Sequence, residues 1–413
     1  MTLRFNGKKI LLGVSGGIAC YKSCELVREL KRRGATVRVM MTPSAREFVT
    51  PLTFAALSEN PVLTSLFPAA DTAAIAHINW SRWGDLIIVC PATANTLARL
   101  ANGFADEPVS ATIRAARVPV VLCPAMNAAM WEDPLVQRNL QRLRQAGYRC
   151  VDPEFGELAT TTEGAGWGRL ARLEWILAAA LAAAQPSQPL QGMKVLVTAG
   201  RTEEYLDPVR MLTNPSSGRM GFAVAEAAWV LGAEVVLVHG PTELPPPYKI
   251  QTVPVVSAND MREAVLAHYP GAQVVVMTAA VSDYRPRQRA AEKIKKSSAT
   301  TVLELEANDD ILRLLSRQKT AAVHVGFALE TENAVPHAQQ KLREKALDLI
   351  VLNEATEAGA GFKGETNRVT LIDAAGNITR LPLLSKSEVA FEIWQAVLAL
   401  PAAGQASIAR TTS

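Results

Sequence analysis

A pattern of apolar strand, glycine turn, amphipathic helix and second apolar strand occurs twice in this chain, which rules out an all-helical or all-β architecture. Lys8 to Val14 runs into Ser15-Gly16-Gly17. A helix follows, with Ile18, Tyr21, Val27 and Leu30 expected on its inner face and Gly34 as its stop, and Thr36 to Met41 is the next strand. Near residue 190 the pattern restarts: Met193 to Val197 is a strand, Thr198-Ala199-Gly200 a turn, Gly218 to Leu231 a helix, and Ala233 to Val238 a strand. Near-continuous apolar runs that alternate with helices indicate parallel strands buried on both faces. The reading is α/β: two doubly wound, mostly parallel-sheet, Rossmann-like domains in tandem. Gln185-Pro186-Ser187-Gln188-Pro189 reads as a polar connector, so the domains are expected at 1–189 and 190–413. A length of 413 residues also exceeds what one core comfortably supports.

Composition narrows the partners. A net charge of +4 with no long basic run gives no indication of nucleic acid. No apolar run reaches membrane-spanning length, and the longest, around Trp175 to Ala184, is a short Ala-rich helix. The start of the chain lacks a signal-peptide core. Five cysteines, Cys20, Cys24, Cys90, Cys123 and Cys150, show no metal-type pairing, and Cys20 and Cys24 read as partly buried thiols one helical turn apart. A cytoplasmic protein with small-molecule partners, no nucleic acid and no membrane is expected.

The glycine turn after the first strand is not a Gly-x-Gly-x-x-Gly fingerprint. The second strand ends in Met41-Thr42, where a dinucleotide site would place an acid for the ribose. That argues against an NAD-dependent dehydrogenase. A tight turn, a Ser hydroxyl and a helix start still make a cradle for one phosphate. Asp85 to Cys90 is another buried strand, expected to end at Pro91, and Pro91-Ala92-Thr93-Ala94-Asn95-Thr96 follows it. Thr42-Pro43-Ser44 ends its strand in the same style. Three hydroxyl-bearing loops at one carboxyl edge point to one bound mononucleotide. Val118 to Cys123 is a further buried strand stopped by Pro124, which places Asn127 just beyond its end. A primary amide offers uncharged donors suited to gripping a carboxylate.

Pro124-Ala125-Met126-Asn127-Ala128-Ala129-Met130-Trp131, with Pro91 to Thr96 and Ser15-Gly16-Gly17, resembles the signature of the flavin-dependent cysteine decarboxylases. The resemblance implies FMN held by Ser15, Gly16, Gly17, Thr42, Ala92 and Thr93, with Asn127 on the substrate carboxylate. It also implies His77 as the essential histidine, in Ala76-His77-Ile78. It implies further a homo-oligomer that closes the flavin site between subunits. One segment departs from the family. Members that complete the reduction carry a stretch resembling Ala-Cys-Gly-x-x-Gly-x-Gly-Arg, whose Cys is the final proton donor. Here the chain reads Thr161-Thr162-Glu163-Gly164-Ala165-Gly166-Trp167-Gly168-Arg169, which puts Thr162 at the Cys position, or Thr160 if the segment carries an insertion. A threonine hydroxyl is too weak an acid to substitute directly. Glu163, Cys90, Cys123 and water are the alternative proton sources.

In the second half a long loop carries Leu206-Asp207-Pro208-Val209-Arg210 and Asn214-Pro215-Ser216-Ser217-Gly218-Arg219-Met220-Gly221. Ala279 to Tyr284, Glu292 to Lys296, Val325 to Thr331, and Lys341 with Lys345 follow. Two lysines at i and i+4 cost stability unless an anion sits between them. These blocks collectively resemble phosphopantothenate–cysteine ligase, and both halves in order resemble the bifunctional coenzyme A biosynthesis proteins over residues 8 to 395. The resemblance implies that CTP activates 4'-phosphopantothenate as an acyl-cytidylate that cysteine attacks, with Mg²⁺ on the CTP phosphates. Asn214 would stabilise the charge on the acyl oxygen, with Arg210 also on the substrate, and Lys293 would bind the triphosphate. Met277, Thr278, Ala279, Asp283, Asp309, Asp310, Ile311, Leu312, Phe327, Lys341 and Lys345 fall on CTP-contacting positions. Asp309 follows Asn308 where the family has Pro, and Arg201 replaces a usual Gly or Pro. The alternative to a bifunctional enzyme is a CTP-dependent ligase fused to a flavin-binding scaffold with lapsed or only oxidative decarboxylase activity.

Overall fold

The computed structural model describes residues 5–67, 75–160, 162–296, 301–319, 321–330, 332–354, 364 and 366–401. It divides into two compact units, residues 2–186 and 187–413.

The first unit is built on six parallel strands: β1 (Lys9–Val14), β2 (Thr36–Met41), β3 (Val62–Leu63), β4 (Leu86–Ala92), β5 (Val120–Pro124) and β6 (Arg149–Cys150). Their order is β3-β2-β1-β4-β5-β6, so the winding reverses between β1 and β4. A crevice opens at such a reversal, beyond the carboxyl ends of the strands. Every residue of β4 and β5 is buried, the signature of a sheet covered on both faces. Two expectations need correction here. Ile18 and Tyr21 are exposed, because Ile18–Tyr21 forms a 3₁₀ turn ahead of the helix Lys22–Arg32, whose inner face is Leu26, Val27 and Leu30. A 3₁₀ turn has a different angular repeat, so the helical face does not extend back through it. Also, β4 does not stop at Pro91. It continues through Pro91-Ala92 with a shift of register against β5, across a cis Cys90–Pro91 peptide.

The second unit repeats the winding. Its sheet contains β7 (Lys194–Ala199), β8 (Glu234–His239), β9 (Gln251–Pro254), β10 (Val274–Met277), β11 (Val323–Glu330), β12 (Leu349–Glu354), β13 (Val369–Asp373) and β14 (Ile378–Arg380). The order is β9-β8-β7-β10-β11-β12-β13-β14, with the first six strands parallel and the last two pairings, β12 with β13 and β13 with β14, antiparallel. Thr198 and Ala199, expected in a turn, complete β7 instead. The helix Lys386–Ala399 packs on the helix Arg219–Val230, and the buried Trp394 indole donates to the Val224 carbonyl at 2.9 Å. A Ser385–Glu388 capping box fixes the start of that last helix. At the opposite edge of the sheet from the loops, His324 is fully buried, with Nε2 3.0 Å from the Tyr269 hydroxyl. Burial pushes its imidazole down to about 4, with Lys319 adding to the effect and Asp348 opposing it.

Candidate active sites at two sheet edges

Four loops of the first unit meet beyond the carboxyl ends of β1, β2, β4 and β5. The Ser15 hydroxyl donates to the Pro91 carbonyl at 2.7 Å and accepts from the Thr93 amide at 3.0 Å. A Cβ on Gly16 would lie 2.3 Å from the Ser44 Cβ, so this glycine is what lets the first and second loops touch. The Thr42 amide donates to the Val14 carbonyl at 3.0 Å, and the Ala125 amide to the Ala92 carbonyl at 3.2 Å. Ser15, Gly16, Gly17, Thr42, Ala92, Thr93 and the approach to Asn127 are therefore gathered at one edge. The expected role of the hydroxyls needs correction. Ser15 is fully buried and its hydroxyl is spent on tying two loops together. Thr42 and Thr93 accept from the amides of Ala45 and Thr96 as helix N-caps. What the loops offer a phosphate is chiefly backbone.

His77 lies at the start of the helix Ala76–Trp83, which leads into β4 and so begins at the edge where the strands finish. Its Nδ1 is buried with no hydrogen-bond partner among the described residues. Asn127 caps the short helix Ala128–Glu132, its Oδ1 accepting from the Ala129 amide at 2.9 Å. With the oxygen committed, the side chain presents its N–H donors outward. One of them meets Glu163 Oε1 at 2.6 Å.

Glu163 lies in the tip of an antiparallel hairpin, Glu154–Glu157 paired with Ala165–Arg169. The hairpin is seated on the Asn127 loop by backbone: the Met126 amide donates to the Gly168 carbonyl at 3.0 Å. A Cβ on Gly168 (φ +133°) would lie 2.1 Å from the Met126 carbonyl oxygen. Thr162 is exposed at the tip, its hydroxyl 3.0 Å from that of Thr160. The Asn127 amide, opposed by slight desolvation and assisted by Thr160, holds the Glu163 carboxyl below its usual range, so Glu163 is an ionised acceptor rather than an acid. Cys90 and Cys123 are buried, and burial raises the Cys123 thiol.

In the second unit, Glu203–Tyr205 and Met211–Thr213 form a hairpin that carries the long loop. Asp207, which sequence reasoning placed in the loop without a role, organises it. Its buried carboxylate accepts from the amides of Val209 and Arg210, both at 2.7 Å, and of Ile294 at 3.1 Å. Burial alone would raise this carboxyl; the three amides outweigh it and hold it below the usual range. Arg210 donates to the Ile294 carbonyl at 2.9 Å, so the exposed Lys293 is held beside Arg210. The Asn214 amide is not free: it donates to the carbonyls of Ala280 at 3.3 Å and Val281 at 3.4 Å. Arg201 pairs with Glu203 at 3.0 Å, which accommodates the residue where the family has Gly or Pro.

A pocket at this edge is lined by Ser216 to Gly221, Thr278, Ala279, Ala280 and Phe327, and also by Asn353, Asn367 and Lys386, which sequence reasoning missed. Only the Ser385-x-x-Glu388 cap signal lay near Lys386. The side chains of Met277, Ile311 and Leu312 are buried in the core, so it is their backbone that faces the edge. Lys345 pairs with Asp310 at 2.8 Å. Lys341 donates to the Phe327 carbonyl at 2.8 Å. Burial and then Lys345 lower its ammonium, against Glu330, Asp310 and Asp283, which gathers Asp283, Asp310, Phe327, Lys341 and Lys345 in one neighbourhood. Asp309 instead turns outward to pair with Arg262. Among the described residues no three His, Cys, Asp or Glu side chains are grouped to hold a metal ion, and no helix is long and apolar enough to cross a membrane.

Comparison with known proteins covers both units. Residues 3–184 match the family described as Flavoprotein. Residues 190–400 match the family described as DNA/pantothenate metabolism flavoprotein C-terminal domain. The chain is 46% identical over 398 residues to the coenzyme A biosynthesis bifunctional protein CoaBC of Bacillus subtilis (strain 168), spanning 96% of this chain and 98% of that protein. It is 42% identical over 384 residues to the protein of the same name from Escherichia coli (strain K12), spanning 92% and 94%. A crystal structure of the C-terminal domain of a CoaBC protein superimposes with a TM-score of 0.45 at 46% identity, covering 51% of this chain and 96% of that one.

Proposed function

The chain belongs to the family of coenzyme A biosynthesis bifunctional proteins, which join a flavoprotein decarboxylase domain to a ligase domain, and from that premise we propose how its two edges divide the work. The second unit ligates cysteine to 4'-phosphopantothenate with CTP through an acyl-cytidylate. The first unit decarboxylates 4'-phospho-N-pantothenoylcysteine to 4'-phosphopantetheine with FMN. The observation that carries this reading is the full-length identity, 46% over 96% of the chain, laid over two sheets that each gather the matching residues at one carboxyl edge.

In the first unit, backbone of residues 15–17, 42–44 and 92–94 would hold the FMN phosphate. The residues fit such a group at His77, whose buried Nδ1 lacks a partner among the described residues. When bound, FMN supplies the oxidation of the cysteine moiety and the returning hydride. Asn127, oriented by its cap, grips the substrate carboxylate, and His77 moves the proton released in the oxidative half. Exposed Ile18, Tyr21, Ile75 and Met130 lie around this edge, and their apolar surface supports closure of the site by a second copy of the chain in a homo-oligomer.

In the second unit, Lys293 and Arg210 offset phosphate and carboxylate charge. Lys341, Lys345, Asp283, Phe327 and the segment Asp309 to Leu312 surround the nucleotide, the last chiefly through Asp310 and backbone. Asn214 reaches the developing oxyanion once its long bonds to residues 280 and 281 open. Mg²⁺ enters only as counter-ion of the triphosphate. The test is to assay both half-reactions on the FMN-loaded full chain. Asn214→Asp should block acyl transfer and Lys293→Gln should slow CTP consumption, while decarboxylation of added substrate continues. His77→Asn should retain flavin but lose CO₂ release. Wild-type ligation by both second-unit variants would remove these assignments.

A further inference from the structure

Asn127 has its two N–H groups to spare, and the chain already occupies one of them. Its oxygen is locked in the helix cap at 2.9 Å from the Ala129 amide, and its nitrogen meets a carboxylate oxygen of Glu163 at 2.6 Å. The other Glu163 oxygen accepts from the Thr160 amide at 3.2 Å and the Thr160 hydroxyl at 3.3 Å. The tip around it is closed by Leu158–Gly164 and Glu163–Thr160 backbone bonds of 3.0 and 3.1 Å. A carboxylate on the hairpin thus stands on the donor that, in the decarboxylase reading above, receives the carboxylate of the substrate. Aligned on Gly166-Trp167-Gly168-Arg169 without an insertion, Glu163 falls at the glycine that follows the cysteine in the family pattern.

We propose that Glu163 is a positioning residue for the decarboxylase: it docks the hairpin tip on the Asn127 amide whenever that amide is not holding the substrate carboxylate. This inference rests on the assignment of Asn127 given above. Carboxylates on the two N–H groups of one amide nitrogen would lie side by side, and their like charges repel at such close range. Arriving substrate therefore displaces Glu163, which is exposed and leaves without unpacking a core. The tip lifts while the rest of the hairpin stays seated through Gly168 and Met126. When the carboxylate departs as CO₂, the amide is again open and the ionised Glu163 returns to it. That return re-seats the hairpin tip beside Asn127 for the step that closes the reaction, whose proton Thr162 is too weak an acid to supply itself. The tip therefore reports on whether the substrate still carries its carboxyl group.

A competitor tethered to the site lowers apparent substrate affinity by the fraction of molecules in which the site is free. The experiment is steady-state and rapid-mixing decarboxylation by the FMN-loaded full chain with 4'-phospho-N-pantothenoylcysteine, comparing wild type with Glu163→Ala, Glu163→Gln, Glu163→Asp and Asn127→Ala. Glu163→Ala and Glu163→Gln should lower KM by roughly three- to tenfold. The same variants should prolong the decarboxylated enethiol, detected by its ultraviolet absorbance, and Glu163→Asp should shift both readouts partway back. A general loss of folding would lower kcat without improving KM. A wild-type or raised KM in both Glu163→Ala and Glu163→Gln overturns the proposal. Asn127→Ala separates this from the underlying assignment: it should raise KM at least tenfold, and an unchanged KM there would mean that Asn127 does not hold the carboxylate.

Discussion

The Ser15 hydroxyl lies 2.7 Å from the Pro91 carbonyl oxygen, and this bond helps fasten the loop after β1 to the end of β4 at the point where the sheet reverses its winding. The same oxygen accepts from the Thr93 amide, so the hydroxyl serves both neighbours and is fully buried. Ser15 is thus part of the frame of the flavin-side crevice.

Ser15→Ala should therefore cost stability as well as cofactor affinity. It leaves the Thr93 amide without its acceptor and removes the Pro91 carbonyl's hydroxyl donor in a buried place, worth about 1–3 kcal/mol. Denaturant titration of the first unit's transition should show that loss, and FMN should bind more weakly. A variant that loses FMN affinity with unchanged stability would make Ser15 a direct phosphate ligand instead.

The buried His324 predicts a pH dependence confined to the second unit. Its imidazole titrates near 4 in the fold, chiefly through burial, against an ordinary value of 6.5. The unfolded chain then binds the proton more readily. The stabilisation is complete above about pH 6.5 and is lost as pH falls toward 4, a change on the order of 3 kcal/mol. Thermal unfolding of wild type against His324→Gln between pH 4 and 7 checks this: the substitution should flatten that part of the profile. An equal slope in both would assign the acid sensitivity to other groups.

Thr162 gives the third prediction. General acid assistance is typically worth roughly 10²–10⁴-fold, and the described residues near the tip offer an ionised Glu163 and buried Cys90 and Cys123. Wild type should release CO₂ faster than it completes the reduction, so that an enethiol builds up before 4'-phosphopantetheine. Thr162→Cys should speed the last step and suppress that intermediate. An absent intermediate in wild type, with no acceleration in Thr162→Cys, would show that another donor has taken over.

The sheets were legible because their signal is redundant. Thr36 to Met41 is a run of six residues bounded by turns, and β2 occupies those six positions. Ile18 and Tyr21 were misplaced because periodicity cannot distinguish the end of a helix from a 3₁₀ turn with a different angular repeat. The extension of β4 through Pro91 was hidden for another reason. Proline removes only its own N–H, and a strand can continue where its partner's register shifts. At the sites, chemistry-bearing residues were legible by type and misjudged by orientation. Met277, Ile311 and Leu312 lie in segments flanking the ligand edge while their side chains fill the core. The contacts of Glu163 and Asp207 join residues 36 and 87 positions apart, and no local pattern encodes those distances.

The seat of the hairpin is written in what Gly168 lacks. Because it rests on Met126 through main chain at a spot where no side chain fits, the mount is indifferent to which residues the tip displays. Carrier and cargo can then change independently. Exchanging a cysteine for a threonine at the tip alters the chemistry delivered without moving the delivery arm, whereas filling the empty place at Gly168 would unseat the arm with every reactive residue intact.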